Sequence, residues 1–420
     1  MTPADIPVLE ERARQQPADA GVRFRMASGY LAAGRCDAAT VSAREGLRLD
    51  AGNVLGPLVI GTCQEQDQRY DLAVETYRDF TAHYPNARGV AAIRAKEQAA
   101  VRRGAEIVAR QALAREAEMS ALAPEPSTLA ILPLTVVGDT AYRALSRGLA
   151  ELITTDLATI RSLRLLERLH VGALFDELRL AQAGPVDSTT AARVGRMLRA
   201  ERLVQGVATI PSARAPIRLQ ASVVAGDGAV RPGAAFTGRF AQLLDLEKRL
   251  VLDLGVQLGI QLTVAERQRI LDQGPKNLAA FLAYSEGLEA LDRGDYGSAA
   301  RHFGEAAQAD PSFQAAHDAH DASQAAPIVD QAGAGGDMNA VAQGVDRLAA
   351  LPVAPRTELA ATRALGAAST DIAPTLSDAV RQPASTGTDA TLRQETAEVS
   401  GIPNLQGTSS IIRIIFRRPL

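Results

Sequence analysis

The chain has 420 residues, of which 46% are apolar and 22% are charged, and its formal net charge at pH 7 is −3. That length allows two or three domains, each with its own core. A charge so near to neutral gives no electrostatic reason to expect nucleic acid or an anionic membrane surface as the main partner. Tryptophan is absent and aromatic residues make up only 4%, which argues against platforms that stack bases or sugars.

The N-terminus and the cysteines bear on the cellular compartment. The first residues lack the basic and apolar regions of an export signal, and no stretch reaches the roughly 20 apolar residues of a membrane helix. The sequence as written predicts a cytoplasmic protein without an integral membrane span, or a periplasmic or envelope protein if an export signal is missing. Cys36 and Cys63 are too few for a disulfide framework or a cysteine-based zinc site, and we expect two free thiols packed as small apolar groups.

Residues 1–87 show the pattern of stacked helical hairpins. Residues 54–87 place Gly61, Tyr77 and Pro85 where two helices cross, where an aromatic side chain fills the gap and where the second helix ends. Residues 20–53 repeat this spacing more weakly, and a helix near 3–16 is expected to cap them. These units resemble tetratricopeptide (TPR) repeats, which implies that the first helix of each hairpin lines a concave protein-binding groove. The implied groove residues are Phe24, Ser28, Leu31, Leu58, Thr62 and Glu65.

Residues 88–126 are rich in alanine, arginine and glutamate. This composition predicts one long, largely solvated, charged linker helix between the hairpins and the next domain. The prolines Pro124 and Pro126 end it and mark a domain boundary.

Residues 127–265 alternate short apolar strands with segments of helical period. The pattern includes a strand at Ala130–Leu134, a helix at Gly148–Leu157, and strand segments at Leu165–Arg168 and Leu203–Gly206. A helix at Leu244–Leu258 closes it. The alternation predicts a sheet with helices packed on it.

In their order and spacing, these segments resemble the α/β domain of the curli-assembly CsgG-like family and the related TolB N-terminal-like domains. The resemblance covers residues 129–262. The predicted fold class is therefore an α/β module, a mixed sheet with packed helices, flanked by all-α TPR helical hairpins. The curli channel is a lipid-anchored pore. This sequence has no cysteine near its start and no pair of long alternating segments able to span a membrane, so no pore is expected.

Residues 275–327 carry the clearest helical hairpin. Gly287 and Phe303 stand where the two helices would cross, Gly294 lies at the turn and Pro311 ends the second helix. This unit also resembles a tetratricopeptide repeat. The resemblance implies that its groove is lined by Phe281, Tyr284 and Leu288.

The C-terminal part changes character. Residues 331–405 are of low complexity, with few large apolar residues, and we expect most of them to be disordered. Residues 408–418 are β-branched and strand-like. A strand at the end of a polar tail could add to a sheet edge of this chain or of another.

Two motifs could carry chemistry. His317 and His320 share one helical face, which suits a metal ion, but no further ligands converge in the sequence and a solvated helix face is the expected alternative. Glu167-Arg168 ends a strand; it could be a catalytic acid with its partner, but an ion pair at the rim of the sheet is expected. No Gly-Lys-Ser/Thr phosphate loop is present. We expect no enzyme activity and no cofactor.

These patterns together predict a non-enzymatic protein-binding adaptor or assembly protein, related to a bacterial cell-envelope or secretion complex. Its partner would be a protein or peptide, and self-association is possible through the α/β module. The alternative is a cytoplasmic regulatory TPR protein in a signalling pathway. A hydrolase or a metal-binding protein is a third hypothesis.

Overall fold

A computed structural model of the chain describes residues 5–181 and 188–333, together with 338, 340–341, 343–344 and 416–417. A mixed sheet with packed helices lies between an N-terminal and a C-terminal set of helical hairpins. The predicted fold class is confirmed in these respects.

The N-terminal part consists of helices that pair as hairpins. Their close crossing depends on glycine, because a Cβ at Gly61 would lie 2.3 Å from the Tyr77 ring and one at Gly46 would lie 2.7 Å from the Phe24 ring. Gly34 has φ +71° in the turn between the first pair. The helices are α1 (Ile6–Gln15), α2 (Ala20–Ala32), α3 (Cys36–Leu49), α4 (Leu55–Gln66), α5 (Tyr70–His83), α6 (Val90–Ala114) and the short α7 (Glu116–Ala121).

The central part forms the sheet, to which the C-terminal strand β7 (Phe416–Arg417) is added. The strand order is β6-β5-β4-β1-β3-β7, and β2 also pairs with β4. Helical crossovers make β1 parallel to β3 and to β4, whereas direct turns make β4, β5 and β6 antiparallel. The strands are β1 (Glu125–Ile131), β2 (Thr135–Gly138), β3 (Arg164–Leu166), β4 (Ala200–Ile210), β5 (Ile217–Ala225) and β6 (Val230–Gly238). The helices are α8 (Leu145–Leu157), α9 (Arg168–Ala181), α10 (Ser188–Met197) and α11 (Leu243–Gln257).

Helices cover the two faces of the sheet unequally. Leu129 and Ile131 of β1 face α8 and α11, whereas Ala130 faces α9 and α10, as the alternation of side chains along a strand requires. The second face is open further along the sheet. There Val137 of β2, which pairs with Thr209, and Val207 of β4, two residues before Thr209, are 49% and 41% exposed.

The C-terminal helices continue the N-terminal array in space. α15 packs between α14 and α6, and Arg102 of α6 donates a 2.6 Å hydrogen bond to the Tyr296 hydroxyl of α14. The α/β module is therefore inserted in sequence between two helical segments that touch each other. These helices are α12 (Val264–Asp272), α13 (Leu278–Asp292), α14 (Tyr296–Ala309) and α15 (Gln314–Gly333).

Helix α6 is not the solvated linker that its charged composition predicted. Small side chains such as Ala92, Ala100 and Ala109 are buried because α6 packs against α5, α9 and α15 at once. Alanine and glycine permit that close packing on three sides. Even the charged Lys96 is buried, where it pairs with Glu65 of α4.

The expectation of two free thiols was wrong. Cys36 and Cys63 form a disulfide with a Cα–Cα distance of 5.4 Å. It joins the first residue of α3 to α4, and so links the first two hairpins. The cysteines are 27 residues apart in sequence, and only the stacking of the hairpins makes them neighbours.

The C-terminal predictions lie mostly outside the described residues, which include none of 345–405. Part of the expected strand at 408–418 is described. Leu166 of β3 pairs antiparallel with Phe416 of β7. In this structure the strand therefore docks on the chain's own sheet.

Candidate functional site

The groove residues predicted for the first two hairpins lie inside the helical packing. Phe24, Leu31 and Leu58 are buried, as are Ser28 and Thr62. Leu31 and Leu58 belong to one apolar cluster that runs through helices α1 to α6. In this structure these side chains pack against neighbouring helices. A role in binding a partner stays a prediction.

Glu65, the charged member of the predicted groove, joins three helices. Its carboxylate accepts hydrogen bonds of 2.6 Å from the Tyr77 hydroxyl on α5 and from Lys96 Nζ on α6. Burial raises the pKa of Tyr77 well above its usual value, and the negative charge of Glu65 adds to this. Tyr77 therefore stays protonated and keeps donating, and Glu65 serves the internal packing.

The predicted groove residues of the third hairpin lie partly at its contact with the α/β module and partly in the hairpin's own core. Phe281 lies in the core that α8 and α11 form with the sheet. Tyr284 packs against the rings of Phe303 and Phe313, with centroids 5.2 and 4.8 Å away. Leu288 is buried in the same cluster as Tyr284. The structure thus divides the predicted groove residues between two separate cores.

The face of α4 that would bind a partner is covered by the chain's own C-terminal residues. The Thr62 hydroxyl lies 3.9 Å from the Met338 sulfur, within contact distance for a hydrogen bond to sulfur. Met338 and Val341 are almost fully buried and belong to the same cluster as Leu31 and Leu58. Met338 and Val341 thus occupy a surface that the repeat pattern assigns to a partner.

Glu167-Arg168 at the end of β3 forms the main polar connection between the module and its helical flanks. The two side chains do not form the rim ion pair that the sequence suggested. Glu167 instead accepts a hydrogen bond from Arg78 of α5, which also binds Glu97 of α6 at 2.7 Å. We call this residue pair and its partners the junction.

Arg168 makes the second half of the junction. Its guanidinium donates to both oxygens of Asp292 on α13, at 2.8 and 2.9 Å, and to Glu151 of α8 at 3.1 Å. Arg147 of α8 binds the same Asp292 at 2.8 Å. Because Arg168 and Asp292 are buried together, each would leave the other's charge poorly compensated if it were removed. Adjacent residues thus hold the N-terminal and C-terminal helices to the module.

His170 lies directly behind Glu167 and is fully buried. Neither ring nitrogen has a hydrogen-bond partner. Burial lowers the pKa of His170 to about 4, opposed by the charge of Glu167 and assisted by that of Arg78. The imidazole is therefore neutral at neutral pH and packs as an apolar side chain.

A cavity of about 200 Å³ opens beside the junction, between α6, α9 and the end of α13. Arg102, Arg147, Asp176 and Asp292 line it among other residues. Arg147 is paired with both acids, and Arg102 with Tyr296. Charges of both signs already paired with each other offer no distinct ligand chemistry.

A pair of buried carboxyl groups, which no sequence pattern predicted, lies inside the module. Lys248 Nζ lies 2.5 Å from Asp156 and 3.5 Å from Glu247. Burial raises the pKa of Asp156 to about 6 and that of Glu247 well above its usual value. Both carboxyls are shielded from solvent, so this arrangement ties α8 to α11 and does not face a substrate.

Both histidines of the candidate metal motif lie against backbone carbonyl oxygens. The ring of His320 binds the Ala300 carbonyl oxygen at 2.7 Å, and that of His317 lies 3.2 Å from the Pro311 carbonyl oxygen. Within 5–181, 188–333 and the few residues beyond, no three His, Cys, Asp or Glu side chains are placed to hold a metal ion. No helix in those ranges is long and apolar enough to cross a membrane.

Comparison with known proteins matches one segment. The family described as curli production assembly/transport component CsgG matches residues 132–210, which run from the end of β1 through β2, α8, β3, α9 and α10 to the end of β4. No curated protein matches the chain. Residues 132–210 are thus a CsgG-like segment that contributes β2, β3 and β4 to the sheet and carries Glu167 and Arg168 of the junction.

Proposed function

We propose that this chain is a non-enzymatic adaptor or assembly protein of a bacterial cell-envelope or secretion-related complex. The observation that carries the proposal is the CsgG-like segment at 132–210, buttressed on both sides by helical hairpins. A module held at the junction from two directions presents its remaining surfaces in a fixed geometry, which suits a scaffold.

The helical hairpins are proposed to be TPR-like, and the module to share the TolB N-terminal-like arrangement. The glycine-mediated helix crossings at Gly61 and Gly287 support the first point, because each lies against an aromatic side chain of the following helix. Protein or peptide binding would follow from that architecture. The exposed Val137 and Val207 on the open half of the sheet are available for self-association or docking.

The Cys36–Cys63 disulfide favours the envelope over the cytoplasm. Disulfides persist in oxidising compartments such as the periplasm and are rare in cytosolic proteins. The alternative of a cytoplasmic regulatory protein would need these thiols reduced. The bond therefore supports an exported adaptor.

Affinity capture from the native cell, combined with fractionation, tests the proposal. The tagged full chain should be recovered in the envelope or periplasmic fraction with specific protein partners and with Cys36 and Cys63 oxidised, as shown by thiol alkylation and mass spectrometry. A matched variant, Val137→Asp with Val207→Asp, should lose those partners that dock on the open sheet. Recovery of the chain only as a reduced, partner-free cytoplasmic monomer would refute the proposal.

A further inference from the structure

The face of α4 that contains Thr62 is the place where the predicted groove and the C-terminal residues meet. Thr62 contacts Met338, and both Met338 and Val341 join the apolar cluster of the N-terminal hairpins. The chain between Cys63 and Met338 includes the whole module, so this contact is made only when the helical array closes through α6 and α15.

The covering residues have a recognisable chemistry. Met338, Val341 and Gly344 are in helical conformation, and a spacing of three places their side chains on neighbouring positions of one helical face. Gln343, on the other side, is exposed. A Cβ at Gly344 would lie 2.8 Å from Ile328 of α15. Met338 and Val341 therefore face the N-terminal apolar cluster, Gly344 lies against α15, and Gln343 is on the exposed side.

The contact that Met338 and Val341 make with the N-terminal hairpins is smaller than the contact of the module with the third hairpin. There a whole domain packs on α13, with Phe281 in its core and Asp292 held by two arginines. On the N-terminal hairpins, the corresponding contact is made by the side chains of Met338 and Val341. Because α15 lies next to them in sequence, these residues act at a high local concentration. A small contact favoured by tethering can be replaced by a partner with more contacts.

We propose that Met338 and Val341 are an intramolecular occupant of the partner-binding face of α4, and that a partner displaces them. The partner class is an amphipathic helix that presents apolar side chains three residues apart, as Met338 and Val341 do. The partner's existence rests on the proposed function, whereas the occupancy and its release do not. Binding is then limited by the fraction of molecules whose face is free.

The test uses the full, oxidised chain and a fluorescent synthetic peptide with the sequence of residues 325–344. Met338→Glu places a charge where burial is unfavourable, so the resident segment leaves. Gln343→Glu adds the same charge on the exposed side of the segment and is the matched control. We expect the peptide to bind Met338→Glu about tenfold or more tightly than the wild type or the control.

A second substitution locates the binding face. Thr62→Arg in the Met338→Glu background should abolish peptide binding, since the larger side chain enters the space that Met338 left. Equal peptide affinity for wild type, control and Met338→Glu, or binding that persists with Thr62→Arg, would overturn the proposal.

If Met338→Glu does not fold, hydrogen exchange on the wild type decides the question. Excess peptide should accelerate exchange in residues 338–344, and no acceleration at saturating peptide would refute displacement. A released face that binds the peptide, together with a failed capture of cellular partners, would sustain this inference and refute the proposed function. Captured partners that bind Met338→Glu and wild type equally would sustain the proposed function and refute this inference.

Discussion

The third hairpin and the first two carry the same sequence pattern, yet their equivalent faces meet different neighbours. Helix α13 turns Phe281 and Ser285 toward the module, where Gly148 of α8 approaches so closely that a Cβ there would lie 1.9 Å from the Ser285 hydroxyl oxygen. Helix α4 turns Thr62 toward Met338. A repeat pattern therefore defines a face able to bind helices, but the rest of the chain determines which helix lies on it.

The largest expected loss of stability comes from a substitution that breaks the contact between the third hairpin and the module. Arg168→Met leaves the buried Asp292 without its bidentate partner, and we expect the free energy of unfolding to fall by about 3–5 kcal/mol. Chemical denaturation measures it. Arg143→Ala is the matched control, because Arg143 pairs with Glu289 on the same helix but its side chain is 73% exposed; it should cost less than about 1 kcal/mol. Equal losses in the two variants would mean that the junction does not hold α13.

The disulfide provides the next test, on the N-terminal side of the comparison. Replacing Cys36 and Cys63 together by alanine removes a cross-link over 27 residues, and we expect a loss of about 2–4 kcal/mol. Hydrogen exchange should accelerate in α2–α5 and stay unchanged in α13. Reductant should destabilise the wild type but not the double variant. If reductant has no effect on the wild type, the pair is not bonded in solution.

A smaller change in the free energy of unfolding is expected when the pH falls, because of His170 beside the junction. The folded-state pKa of His170 is about 4, and its unfolded value is about 6.5. The unfolded chain therefore binds a proton first as the pH falls, and the free energy of unfolding decreases from pH 6.5 toward 4, by about 2 kcal/mol at pH 5.

His170→Gln removes this contribution, so the two unfolding curves, measured in urea from pH 7 to 5, should converge or cross as the pH falls. The raised pKa values of Asp156 and Glu247 give a slope of opposite sign, but they act in both proteins and cancel in the difference. Parallel curves would show that His170 is accessible to protons in the folded state.

The sequence predicted the fold class and missed most of the site. Hairpins were recognisable because Gly61 and Gly287 must face an aromatic ring of the next helix, a local requirement. Helix α6 was misread because burial on three sides by alanine looks, in one sequence, like a solvated alanine-rich helix. The residues predicted to line a groove, among them Phe24, Leu31, Leu58, Glu65, Phe281, Tyr284 and Leu288, lie on helices α2, α4 and α13. Their spacing could not show which neighbouring helices pack on them, because those neighbours come from distant parts of the chain.

What the sequence determined by itself is the order of the elements: helical hairpins, an α/β module with a CsgG-like segment, and a further hairpin. Periodicity and turn residues act over a few positions and need no knowledge of distant chain. Tertiary structure alone decided the Cys36–Cys63 bond, the division of Glu167 and Arg168 between two helical partners, and the cover of α4 by Met338. Each of these joins residues that are far apart in sequence, and their meeting depends on how α6 and α15 close the array around the module.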